Sequence, residues 1–468
     1  VGFVAEGVTV PWQIVDTEGA DAEQFLAAEA RIGFDLSAAP LLRFTLYRRA
    51  DGMHLVLTAH HLLVDGWSMP LLMQELLICY ATDGAPAVLP RVRPYRDYLV
   101  WLADQDRSAA VRNWREALSG HEPTLLTAAI APPTAQAEGH GMRTLDLSPA
   151  EAEELAACAA ANDVTVNTLF QAAWGLVLAG AVGRSDVVFG AVVSGRPPQL
   201  DGVDSMVGLF ANTIPVRVNY DPAESLRNLL SLVQSEQVAL LDGHHLGLTD
   251  IQRAAGAGEL FDTLMAYESY PVDTEGMRRA HGSIDGLEIV DVQAANATHY
   301  PVAVGVEVGD GIRVGMQYRL DVIDTAIAEA LAQRLRTTLD SFVRTPDRTA
   351  AELQATLEQR NDPIAESAYW RSVLTDLPQD LNLPTDRARP ATPVATDAHV
   401  SFEIPADLHQ RMRDFARARD TTVFTLVHTS FAVLLARLSG IEDIAIDTPC
   451  PQSPDTHLVL RLRVHGAT

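Results

Sequence analysis

The chain reads as an α/β protein, and three patterns predict that class. A β-rich run passes into a helical one around positions 54–80. Strand patterns alternate with helical ones from position 142 onward. Beyond residue 365 part of that alternation is written a second time.

Taken in order, the opening VGFVAEGVTVPWQIV holds two strand-like runs around a glycine turn, as though cut from something longer. Residues 54–63, HLVLTAHHLL, are β-rich and nearly free of charge, which predicts a strand buried on both faces. Asp65-Gly66 is a turn signal that ends it. Ser68 then takes the N-cap position, and Pro70 falls in the first helical turn, where its missing N–H does no harm. Leu71, Leu72, Glu75, Leu76 and Tyr80 continue at helical spacing. Trp101 and Trp114 sit on helical patterns that predict core packing.

Residues 127–140, TAAIAPPTAQAEGH, are rich in Pro, Ala and Thr and low in charge, which marks a linker between lobes. A strand RTLDL follows, then a helix that Ser148-Pro149 opens and that runs to about Ala161. Residues 165–180 predict a buried helix, 186–193 (DVVFGAVV) a continuous apolar strand, and 312–318 another strand near the lobe's end.

The second writing has a constant offset. Asp420, Gly440 and Asp443 stand 257 positions after Asp163, Gly183 and Asp186, and Phe402 stands equally far from Leu145. Trp370-Arg371 echoes Trp114-Arg115, and LVLRLRV near the end faintly echoes NTIPVRV. So long a period excludes a solenoid and predicts a duplicated lobe. The expected organisation is a first lobe over 1–125, incomplete at its start, a second over 126–345, a polar linker with helical character over 346–366, and a partial third lobe over 367–468. Its apolar strand at 441–448 needs a neighbour or stays exposed.

At 468 residues with 47% hydrophobic content the chain can supply large cores. Its 35 basic against 61 acidic residues give a net charge of −26, which argues against nucleic acid or an anionic membrane surface as partner. Cys79, Cys158 and Cys450 are far apart and form no C-x-x-C pair, so neither a zinc site nor a disulfide framework is indicated, and a reduced cytoplasmic setting fits. No secretory signal pattern and no long apolar run are present, so no membrane span is expected.

Chemistry concentrates in residues 60–68, HHLLVDGWS. Neighbours on a strand point to opposite faces, so only one of His60 and His61 can line a given cavity. An imidazole titrates near neutrality and can take a proton from an attacking amine or hydroxyl, typically for about 10²- to 10⁴-fold in rate. Asp65 is better placed to accept hydrogen bonds or to pair with a cation that fixes the turn. A histidine pair that merely satisfies its own hydrogen bonds is the competing reading. His54, His60 and His61 share one run and converge with no carboxylate set, so no metal is expected. His244-His245 leads into Leu-Gly-Leu-Thr-Asp at a different spacing and reads as a loop. Ser194-Gly195-Arg196-Pro197 lacks the G-x-S-x-G elbow, and Arg196 there helps hold a loop.

HHLLVDGWS resembles the His-His-x-x-x-Asp-Gly signature of nonribosomal peptide synthetase condensation domains, members of the chloramphenicol-acetyltransferase-like superfamily. YRDYLVWL (95–102), SGRPPQLDGVDSMVGLFANTIPVRV (194–218) and HHLGLTDIQRAAGAGELFDTLMAYESYPVD (244–273) follow in that family's order, so the resemblance covers about residues 1–345. It implies two α/β sandwich lobes in a pseudo-dimer, with a tunnel between them that thioester-tethered substrates enter from opposite ends. The implied reaction is amide formation. A donor acyl or peptidyl group on one carrier protein's phosphopantetheine arm is attacked by the amine of an aminoacyl group on a second carrier.

By that resemblance His61 is the catalytic residue, and His60, Asp65 and Gly66 are structural, with Gly66 letting backbone approach the pantetheine closely. Trp67, Ser68 and Asn212 are the implied substrate-binding residues, although an Asn before a strand also suits a turn. No cofactor binds directly; the arms carry the substrates. The implied partners are upstream and downstream peptidyl carrier proteins and other synthetase domains such as adenylation. The 194–273 stretches lean toward members accepting a D-configured donor. The family's arginine that faces the motif's aspartate is expected in a segment before Val1, which leaves Asp65 without its partner. Two alternatives stay open: a superfamily acyltransferase using a soluble acceptor or acyl-CoA, and an inactive remnant or docking platform.

Overall fold

The computed structural model describes residues 7–17, 22–49, 52–85, 89–130, 137, 139–256, 258–268, 298–358, 364, 373–374, 376–377, 381, 383–384, 401, 403–450 and 453–464. The chain divides into two compact units, Val1–Ala365 and Glu366–Thr468.

The first unit opens with β1 (Trp12–Asp16), α1 (Ala22–Ala30), β2 (Leu42–Arg49) and β3 (Gly52–Ala59). These strands form a three-stranded sheet in the order β1-β2-β3, with β1 parallel and β3 antiparallel to β2. Helix α1 packs on it, and Phe25 stacks on Tyr47 with ring centroids 4.1 Å apart. β3 differs from its expectation in two ways. It ends at Ala59, so the histidines lie in the turn beyond it. It is also an edge strand, with Val56 its one buried residue and Met53 and Leu55 exposed. A charge-free β run reads the same whether a second layer covers it or not.

Four helices follow: α2 (Ser68–Ala81), α3 (Tyr95–Ala103), α4 (Arg107–Ala117) and the short α5 (Leu126–Ala129), the last overlapping the start of the expected linker. Ser68 is the first residue of α2 and not its cap; Trp67 holds that position in a helical conformation. Trp114 is fully buried, and Trp101 packs half-buried beside Tyr98.

The larger sheet takes β4 (His140–Leu147), β5 (Asp186–Val193), β6 (Asn212–Asn219), β7 (Thr263–Glu268), β8 (Val302–Val308) and β9 (Ile312–Arg319) in the spatial order β4-β9-β8-β7-β5-β6. It is mixed: β7 runs parallel to both neighbours, and the other pairs are antiparallel. Helices α6 (Pro149–Ala161), α7 (Val166–Val182), α8 (Leu226–Leu240), α9 (Leu248–Ala255), α10 (Thr325–Arg344) and α11 (Ala350–Leu357) complete the unit. Ser148 opens α6 with a full capping box to Glu151. α7 is apolar nearly all round and correspondingly buried from Thr168 to Ala179. Each large side chain it seals, such as Phe170 and Trp174, contributes about 1.5–3 kcal/mol. α11 falls in the stretch read as a linker, yet Ala350, Leu353 and Leu357 are buried in the core of this unit, as is Ile364. Its polar surface face disguised an amphipathic helix.

In the second unit, α12 (Ala406–Ala418), α13 (Val423–Ser439) and β10 (Asp443–Cys450) reproduce α6, α7 and β5 at the offset of 257. The caps repeat too. Thr165 accepts from Thr168 N at 3.1 Å and Thr422 from Thr425 N at 3.1 Å, while Gly183 and Gly440 end the two helices at φ 69° and 71°. β10 pairs with β11 (Ser453–Arg463) in an antiparallel hairpin, and Arg461 grips Asp443 as Arg217 grips Asp186. LVLRLRV is therefore the counterpart of the β6 sequence. Where 18 residues (194–211) connect the strands of the first copy, β11 begins three positions after β10 ends. α13 leaves Phe431 46% exposed, where its counterpart Trp174 is fully buried. Trp370, Arg371 and Phe402 lie outside the described residues. Among the described residues no single helix is long and apolar enough to cross a membrane.

Candidate functional site

The turn after β3 is built by its own backbone. His60 N donates to Leu41 O at 2.9 Å, Leu63 N to His60 O at 2.9 Å, and Leu62 N to His60 Nδ1 at 3.1 Å. His60 thus spends one ring nitrogen on closing the turn. His61 is exposed, and among the described residues its ring makes no hydrogen bond. The chain then dives inward, and Val64 and Asp65 are buried.

Asp65 is held from five sides. Its Oδ1 accepts from Ser68 N at 2.9 Å, Ser68 Oγ at 2.7 Å and Arg196 Nη2 at 3.3 Å, and its Oδ2 accepts from Phe210 N at 3.0 Å and Ala211 N at 3.3 Å. The side chains of Arg196 and Asp65 are 2% and 4% exposed. This overturns the expectation that Asp65 lacks its cation: Arg196, from the Ser-Gly-Arg-Pro stretch, supplies it. Burial pushes the Arg196 guanidinium below its ordinary range, against the opposing pull of the Asp65 charge. Arg196 also donates Nη1 to the carbonyls of Val203 and Met206, and lies over the ring of Phe210 at 4.0 Å. The carbonyls of Val203 and Met206 and the N–H groups of Phe210 and Ala211 satisfy most of what the two charges leave over, while Arg196 Nε is buried without a hydrogen bond.

Glycine is required where this connection doubles back. Gly195 has φ +60°, and a Cβ there would lie 1.8 Å from the Phe210 carbonyl oxygen. Gly208 admits the Tyr95 ring, whose hydroxyl donates to Leu209 O. Burial, and then the charges of Tyr98 and Asp65, push the Tyr95 phenol up to about 12.

Ser68, implied as substrate-binding, is fully buried, and the structure corrects that role. Its hydroxyl sits between Asp65 Oδ1, Gly208 O, Gly208 N and Arg196 Nη2, so no lone pair or proton is left for a ligand. Trp67 is half-buried and donates Nε1 to Asp204 O at 2.9 Å, pinning α2 to the same connection. Gly66 is half-buried in the turn between them. Asn212 begins β6. Its amide donates to the carbonyls of His244 and Leu246, both at 2.8 Å, and accepts from Thr213 N at 2.9 Å, so it is a strut for the 244–246 turn.

The structure therefore joins Asp65, Trp67 and Ser68 to the 196–211 connection and leaves His61 exposed on the fixed turn. Arg196, Tyr95 and Phe210 were not read as part of this constellation. Their signal in the sequence is a Gly-Arg pair at 195–196 and a Tyr-x-x-Tyr helix at 95–98. Among the described residues no group of three or more His, Cys, Asp and Glu side chains is placed to hold a metal ion. An imidazole presented this way can accept a proton or orient an amine without moving its backbone.

Comparison with known proteins follows the same lines. The sequence profile of the condensation domain matches residues 3–365 and again 351–452. A linear gramicidin synthase protein of Brevibacillus parabrevis is 29% identical over 501 aligned positions, covering 98% of this chain and 6% of that protein. Bacitracin synthase 3 of Bacillus licheniformis is 30% identical over 362 positions, covering 76% of this chain and 6% of its own length. The chain thus spans less than a tenth of these relatives. Among solved structures, the first condensation domain of the CDA synthetase superposes with a TM-score of 0.58 at 19% identity, covering 75% of this chain and 81% of that one, a likeness of fold. With its profile match over most of the length and the buried aspartate turn that carries the histidine pair, the chain belongs to the condensation domain family.

Proposed function

We propose that this protein forms amide bonds between a donor acyl or peptidyl thioester and the amine of an aminoacyl acceptor, both carried on phosphopantetheine arms of carrier proteins. The amine nitrogen attacks the thioester carbonyl carbon, the C–S bond breaks, and the pantetheine thiol leaves. The proton lost by the amine passes to His61 or is steered by it to the departing sulfur. His60, Asp65 and Gly66 hold the turn, and upstream and downstream carrier proteins with an adenylation partner supply the loaded arms, in the cytoplasm. A D-configured donor is the favoured substrate of this reading.

One observation carries it: an exposed imidazole on a turn whose next aspartate is locked by Arg196 and Ser68. The test is product formation by the full chain from a peptidyl donor and an aminoacyl acceptor loaded on excised carrier proteins. Wild-type protein is expected to give the extended peptidyl carrier, and His61→Ala to lose about 10²-fold or more of the rate. Undiminished product from the variant would sink the assigned role.

A further inference from the structure

Helix α13 carries Phe424, Val427, Phe431, Leu434 and Leu438 along one stripe, and all five are exposed. Their spacing alternates between three and four residues, the seam with which one helix packs against another. The opposite side of α13 is already spent, with Ala432, Leu435 and Ala436 buried in the small core that Ile444 of β10 completes. A contiguous apolar face left open in this way marks an interaction surface.

The first copy shows what lies on such a surface. There α10 packs on both α6 and α7. Cys158 Sγ donates to Phe342 O at 3.4 Å, Arg336 pairs with Glu151, and a Cβ at Gly180 would lie 3.1 Å from Arg334 Nη1. Arg344, at the end of α10, lines one groove with Glu154. The helix pairs are bent alike, α6 and α7 by 95° and α12 and α13 by 102°, so the counterparts of these positions share one surface in the second copy. Among the described residues the second copy has no counterpart of α10.

Charge decides what fits there. At the offset of 257, Arg411 stands for Glu154, Arg437 for Gly180, Leu408 for Glu151 and Phe415 for Cys158. Leu408, Arg411, Phe415 and Arg419 fall on one stripe of α12 and its cap, with the Arg419 guanidinium over the Phe415 ring at 5.3 Å. Asp407 and Asp414 fall on the neighbouring stripe, where Asp414 lies 3.9 Å from Arg417. α13 holds no acidic residue. Arg411 and Arg437 are exposed, and among the described residues neither is in an ion pair. A helix with the charges of α10 would therefore set arginine against arginine twice.

We infer that the α12–α13 face docks an acidic amphipathic helix of a partner protein. That helix lies as α10 lies on the first copy, with carboxylates facing Arg411 and Arg437 and apolar side chains on Leu408, Phe415 and the α13 stripe. The inference stands independently of the reaction assigned to His61.

The probe is a synthetic 20-residue peptide of the 325–344 sequence carrying Arg334→Glu, Arg336→Leu and Arg344→Glu, with the unaltered 325–344 peptide as control. Each is labelled and titrated into the full chain by fluorescence anisotropy. The altered peptide is expected to saturate one site and to bind about tenfold or more tighter than the unaltered one. The double variant Arg411→Glu, Arg437→Glu should invert that preference, and Phe431→Ser should weaken the altered peptide about tenfold. All three positions are exposed, so these variants are expected to fold, as circular dichroism would verify. No binding by the altered peptide, equal binding of the two peptides, or a preference that survives the double reversal would each overturn the inference. So would a dimer of the full chain in sedimentation that Phe431→Ser breaks, because it would assign the face to a second copy.

Discussion

Arg196 and Asp65, 131 residues apart in sequence, meet at 3.3 Å with their side chains almost wholly shielded from solvent. This contact ties the histidine turn, on the three-stranded side of the unit, to the connection that leads into β6 of the larger sheet. The catalytic candidate is therefore positioned by the backbone bonds of its own turn together with a residue far along the chain.

Removing one member of such a pair strands the other charge. Arg196→Ala is expected to cost about 3–5 kcal/mol in the free energy of unfolding, read by denaturant titration. Arg196→Lys should fall between wild type and Ala. It keeps a positive charge but loses the fork that serves Asp65, Val203 and Met206 together. A cost below about 1 kcal/mol for the alanine variant would show that the pair does not hold the turn.

His61 and Ser68 should separate activity from stability. His61 is exposed, so His61→Ala is expected to change stability by no more than about 0.5 kcal/mol while product formation collapses. Ser68→Ala leaves buried donors and acceptors unmatched and should destabilise by about 1–3 kcal/mol. Thermal melts of both variants, run beside the condensation assay, check the contrast.

Glu29 gives a pH signature to the smaller sheet. Burial raises its carboxyl, but hydrogen bonds from Thr45, Arg43 and Tyr47 outweigh burial and leave it below the ordinary glutamate range. A depressed carboxylate stabilises the fold above its unfolded value near 4.5, and that contribution is lost as pH falls through the lower folded value. The stability gap between wild type and Glu29→Gln should therefore be constant near neutrality and shrink below about pH 4.5. Unfolding free energies measured from pH 7 down to 3 test it.

The duplicated helices offer a matched pair. At Gly183 and Gly440 a Cβ would meet nothing within 4 Å, so substitution there is opposed by the left-handed backbone alone. Gly→Ala at either should loosen the helix end by about 1–2 kcal/mol, and by similar amounts in the two copies. Hydrogen exchange read separately over α7 and α13 measures both.

Local rules carried much of the fold. The capping box at Ser148 sets the start of α6, the all-round apolar pattern of α7 announces a core helix, and the 257-residue offset exposes the second copy. The same rules failed where burial is decided by distant neighbours. β3 reads as a central strand but is an edge, and α11 reads as a linker but is core, because period and composition report a segment's own surface and not what lies against it.

The site divides the same way. The sequence by itself determined that a strand gives way at Asp65-Gly66 to a helix, with an imidazole and a carboxylate a few residues apart. Only the tertiary structure decided that Arg196 neutralises Asp65, that Ser68 is sealed beneath Gly208, and that Asn212 braces the 244–246 turn. Turn and helix propensities act over a few residues and are written where they act. A buried charge is satisfied by whichever opposite group the whole fold brings to it, and that choice is made by desolvation across the entire chain.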